Sequence, residues 1–175
     1  YTGLGNPDAR RVWLDNEPLI DFGRFAGDRR QVLAMSASVN PWRTLSINMV
    51  LSATTGLPIN ETVGSDVNRD GDNNDRPIRG INDLTIPIRS AVDSQGRAVI
   101  NGIQGPGSFL MDVSFRYQIP MRGVLNSLDL FFDQFNILNR VNYQALTGNR
   151  ASANFMVRTA AQFPRQSQFG VRVRF

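Results

Sequence analysis

The chain has 175 residues with neither Cys nor His, which closes off disulfides, thiolate metal sites, imidazole–zinc centres and any Ser-His-Asp triad. Its 19 basic residues, all Arg, stand against 15 acidic ones for a net charge of +4. With Asp interleaved among the arginines, this reads as solvated loops and a polar face rather than a nucleic-acid footprint. No apolar run approaches the roughly 18 residues of a membrane helix, which excludes a helical membrane protein.

In chain order, residues 1–30, with Trp13 and Phe22, read as a loop without a recognisable target. No signal peptide opens them, and Tyr1–Gly5 has the character of mid-chain sequence. The first strand is predicted near 31–39, where Leu33, Met35, Ala37 and Val39 oppose Ser36 and Ser38 at the period of two that a strand imposes. Asn40, Pro41 and Trp42 are expected to turn the chain into a second strand near 44–54, with Leu45, Ile47, Met49 and Leu51 opposite Ser46, Asn48 and Ser52. After a long connection over 56–107 comes the cleanest alternation, 108–118, with Phe109, Met111, Val113, Phe115 and Tyr117 against the mostly polar Leu110, Asp112, Ser114 and Arg116. A short connection with Pro120 and Gly123 predicts a hairpin into a strand near 127–138, where Leu128, Leu130 and Phe132 oppose Asp129 and Asp133. A second long connection, 139–166, precedes the last strand at 167–175, with Phe169, Val171, Val173 and Phe175 on one face and Gln168, Gly170, Arg172 and Arg174 on the other.

These strands are long enough to cross a bilayer when tilted, which takes about 9–11 residues. Their connections run short, very long, short, long. A structureless connection of roughly fifty residues is foreign to a compact soluble domain, where most loops have about four to six. Outer-membrane barrels instead pair short periplasmic turns with long extracellular loops, and flank an apolar outer band with aromatic girdles. That polarity puts Phe175, Tyr117 and Trp42 at the periplasmic level, Phe109 and Phe169 at the outer level, and the three long segments outside the cell. An antiparallel sandwich with one face in a core would use the same alternation.

Two constellations carry candidate chemistry. Asp66, Asn68 and Asp70, followed by Gly71, match the opening of a calcium loop, with Asp72 and Asn74 as further oxygen donors; Pro77 stands where such a loop ends in a bidentate Glu. The alternative is an Asn/Asp/Gly turn whose side chains bond their own backbone. Arg116, Asp129, Asp133, Arg172 and Arg174 form a charge ladder on the polar face. At roughly 0.2–1 kcal/mol per cross-strand pair, it reads as register control rather than a substrate site. No recognisable pair of carboxylates exists, so no catalysis is expected.

Several motifs then recur in a telling order: Gly27-Asp28-Arg29-Arg30 entering a strand, the Asp66–Pro77 segment, Gly105-Pro106-Gly107 before a strand, Phe135-Asn136-Ile137-Leu138-Asn139-Arg140-Val141-Asn142-Tyr143, and Phe163-Pro164-Arg165-Gln166 leading into the last strand. In this order, over almost the whole chain, the sequence resembles the C-terminal part of a TonB-dependent outer-membrane receptor. The kind is Oar-like, with a carboxypeptidase-regulatory-like domain near the N-terminus. The resemblance implies an all-β, antiparallel transmembrane barrel of about 22 strands closed around a plug, of which this chain supplies about the last five. It implies residence in the Gram-negative outer membrane and active import of a large or scarce substrate. The implied partners are lipid, the missing strands and plug, the TonB energy-transducing complex reached through that plug, and the barrel assembly machinery. No cofactor is required, the candidate calcium ion aside. It further implies that Phe175, preceded at alternate positions by Val173, Val171 and Phe169, is the signal read by that machinery. Because plug, TonB box and further strands are missing, a fragment is expected. Two alternatives stay open: a secreted or surface calcium-binding β-sandwich with an adhesive role, and a small complete outer-membrane barrel of about eight strands.

Overall fold

The structure is a computed structural model that describes residues 22–69, 71–80, 85–123, 125–144 and 146–175. Seven strands and no helix occur among them: β1 (Val32–Trp42), β2 (Leu45–Thr54), β3 (Pro58–Ile59), β4 (Ile103–Gln104), β5 (Ser108–Pro120), β6 (Ser127–Phe135) and β7 (Gln166–Arg174). The chain is all-β, and its strands pair antiparallel. It falls into two compact units, one holding the five long strands and the other built largely from Thr55–Pro106 and Tyr143–Ala160.

The five-stranded sheet has the order β1-β2-β5-β6-β7 and is open, with β1 and β7 at its edges. Its register follows from the alternation, since a slip of one residue would turn every apolar side chain to the other face. Val39, Ile47, Phe115, Phe132 and Phe169 are successive cross-strand partners, and so are Trp42, Leu45, Tyr117, Leu130 and Val171. The intervening rows are mostly polar: Ser38, Asn48, Ser114, Asp133 and Gln168 form one, while Val50, Leu110 and Phe131 are apolar members of others. One face is thus predominantly apolar and the other predominantly polar across the five strands.

The strand ends differ from the sequence expectation in two places. β1 continues to Trp42, so Asn40, Pro41 and Trp42 are not the turn; the chain reverses at Arg43 and Thr44. Pro41 has no N–H for the ladder, and the pairing shifts between Val39 and Trp42 in a bulge that accommodates it. β6 stops at Phe135 rather than running to residue 138, because Asn136 and Asn139 take φ of 48° and 49°, which no strand tolerates.

The second unit corrects a larger expectation. The connection 56–107 is not structureless: β3 and β4 pair within it, and Ile59, Ala98, Ile100 and Ile103 are buried. The long second connection contributes to the same unit, since the Thr62 N–H donates to Gly148 C=O at 3.1 Å and the Arg150 N–H to Thr62 C=O at 3.0 Å. Gly148 makes this approach feasible, because a Cβ there would lie 1.8 Å from the Asn60 carbonyl oxygen. Loop length as such is thus no longer an argument against a folded, self-contained segment. Trp13, in the first expected loop, lies outside the described residues, whereas Phe22 is exposed.

Candidate functional site

The apolar face of the sheet carries Leu33, Met35, Val39, Tyr117, Phe132, Phe169, Val171 and Val173, all exposed. Among the described residues of the sheet unit, Val113, on the central strand, is the single buried hydrophobic one. Trp42 (67% exposed) shares a row with Tyr117 through Leu45. The outer pairing is corrected. Phe169 lies in the row of Phe115 and Phe132, whereas Phe109, six residues before Phe115 in β5, pairs with Ala53. Phe175 follows Arg174 beyond the last paired row and is 81% exposed.

The opposite face carries the charges. Arg116 reaches Asp133 at 3.4 Å and Arg174 reaches Asp129 at 2.7 Å, while Arg172 stands opposite Asp129 in register. All five ladder residues therefore share one face, with β6 acids flanked by basic strands on both sides. The Ser114 hydroxyl also donates to Asp133 at 2.5 Å. The two arginines of these pairs are about half exposed, at 51% and 55%, so solvent screening keeps each pair near the lower end of salt-bridge strength. The Arg116 guanidinium also lies 5.2 Å from the centre of the Phe131 ring. That ring rests across Gly170 on β7, where a Cβ would meet it at 2.1 Å.

In the 66–77 segment the side chains serve their own backbone. Asp66 Oδ2 accepts from the Gly71 N–H at 2.9 Å, and Asp75, fully buried, accepts from the N–H groups of Val67 and Asn68. Asp70 lies outside the described residues, and among those described no three acidic residues gather into a metal-sized cluster. Asn74 Oδ1 is buried without a partner among them. Asp66 and Asp75 thus brace the loop through side-chain-to-backbone hydrogen bonds across it.

The residues with the most organised surroundings were not singled out in the sequence. Glu61 is fully buried and receives the Arg150 guanidinium at 2.9 and 2.6 Å, the Ser90 hydroxyl and N–H each at 2.8 Å, and the Arg89 N–H at 3.0 Å. Arg150 extends the clamp to the carbonyls of Ile86 and Pro87. Burial pushes the Glu61 carboxyl up, but hydrogen bonds from Arg150 and Ser90 and the Arg150 charge outweigh it and hold the group below its ordinary value. Asp93 is likewise lowered: burial opposes, and the Arg97 side chain and N–H win. Two residues of the Phe135–Tyr143 motif also prove structural. The Asn142 side chain brackets Phe109, accepting from its N–H at 2.8 Å and donating to its C=O at 2.9 Å, as a paired strand would. Asn136 donates to the carbonyls of Arg140 and Phe163 while its own N–H is held by Asp112. The motif's Asn residues hinted at turns; their partners were not readable.

No protein-family profile, no curated protein and no solved structure matches this chain.

Proposed function

We propose that this chain is part of the wall of an outer-membrane β-barrel, of the TonB-dependent transporter kind that its ordered motifs resemble. The observation that carries the reading is the sheet itself: five antiparallel strands of 9 to 13 residues, one face apolar and exposed, the other polar and charged. Hydrocarbon is the solvent that such an apolar face suits, and the backbone hydrogen bonds between strands are those a membrane requires. The polar face then lines the lumen. Five described strands are fewer than the roughly eight of the smallest barrels, so further strands close the wall. In this reading the chain resides in the Gram-negative outer membrane and contributes lumen wall to the import of a large or scarce substrate. A plug coupled to the TonB complex supplies the gating. The terminal strand, with Phe169, Val171, Val173 and Phe175, meets the assembly machinery.

Trp42 offers a direct test. In a Trp13→Phe variant it is the only tryptophan, and the chain reconstituted into vesicles with bromine on the lipid tails should show its fluorescence strongly quenched. Emission that stays unquenched and characteristic of water, with the chain failing to float with the vesicles, would overturn the proposal.

A further inference from the structure

Four arginines converge at one end of the polar face. Arg43 comes from the β1–β2 turn, Arg116 from β5, and Arg172 and Arg174 from β7; together they line a concavity of about 250 Å³. Among the described residues Asp129 is the one carboxylate that lines it with them, and Arg174 already holds that group at 2.7 Å. Arg116 leans toward Asp133 at 3.4 Å and keeps half its surface open. Arg43 and Arg172 make no ion pair among the described residues. A structural ladder would pair its charges one to one. Here positive charge is left in excess, in a recess whose walls concentrate the field.

We propose that this recess is an anion site for a small, multiply charged molecule bearing phosphate or carboxylate groups. The guanidinium fork matches both oxyanions and can bind them bidentately. The Phe131 ring, seated over Gly170 and beside Arg116, gives the recess a flat apolar wall against which the ligand's carbon skeleton lies. The volume is below the roughly 300–1,000 Å³ of pockets for drug-sized ligands, so the ligand is compact. Every group involved belongs to the sheet. The inference therefore goes beyond the membrane reading and does not depend on what covers the apolar face.

The test is calorimetric titration of the full chain, folded in non-ionic detergent, with pyrophosphate in one arm and citrate in the other. Saturable binding that weakens with added salt is expected, and the tighter arm names the anion class. Arg43→Gln and Arg172→Gln should each weaken it about tenfold or more, as the loss of a charge-assisted hydrogen bond predicts. Arg172→Lys, which keeps charge but loses the fork, should recover part of that loss. Arg79→Gln, in the other unit, should change nothing. Circular dichroism confirms that each variant keeps its sheet. Absence of saturable heat from both anions up to about 10 mM, or an equal loss from Arg79→Gln, would overturn the proposal.

Discussion

Glu61 and Arg150 show how much one contact can carry. The pair is buried, and its two members are 89 residues apart in the chain. No local pattern announces such a partnership, which is why neither residue stood out in the sequence. Glu61→Ala leaves the Arg150 guanidinium buried without a counter-ion, a change that costs roughly 3–5 kcal/mol, whereas replacing both partners by apolar residues of similar size costs far less. Urea unfolding of the single and double variants, followed by circular dichroism, separates these outcomes. The pH dependence follows from the lowered carboxyl. The unfolded chain takes up the proton first as pH falls, so the stabilisation is whole above the ordinary carboxylate range and is lost as pH drops through the lowered folded value. Asp93 acts in the same sense. The urea midpoint should therefore fall on acidification, and Glu61→Gln should flatten the fall; an unchanged slope in that variant would contradict the assignment.

At the scale of elements, the five long strands were legible because alternation is a local property. Leu128-Asp129-Leu130 and Val171-Arg172-Val173 state in three residues which face is which. The strand ends were not legible. Whether Pro41 ends a strand or is absorbed in a bulge depends on what pairs with it, and whether Asn136 continues β6 depends on Asp112 waiting to take its N–H. The terminal strand carries a prediction at this scale. Phe169 sits in a paired row against Phe132, whereas Phe175 lies beyond the last paired residue. Loss of the Phe169 ring should thus weaken the sheet, while loss of Phe175 should leave sheet stability nearly intact. If the assembly machinery reads the terminal aromatic, Phe175→Ala lowers the yield of inserted protein in cells far more than Phe169→Ala. Equal insertion of the two variants would sink that role.

For the whole molecule, the decisive feature is an open sheet. The outer edges of β1 and β7 end the strand order, and both carry exposed side chains along their length. Such edges present unpaired N–H and C=O groups and are templates for association. Removing detergent from the folded chain should produce oligomers through these edges, seen by light scattering; a monodisperse monomer in water would speak against it. Composition and period-two patterning alone sufficed for the all-β class, the segregation of faces, the placement of the charge ladder on one side and the exclusion of Cys and His chemistry, because each depends on residue type or on neighbours two apart. Folding in three dimensions was needed to turn two apparent loops into a unit with its own core, to pair Glu61 with Arg150, to move Phe169 out of the row of Phe109, and to gather four arginines from three elements around one recess. Those features arise from contacts between residues far apart in the chain, and long-range pairing is encoded in no single segment of it.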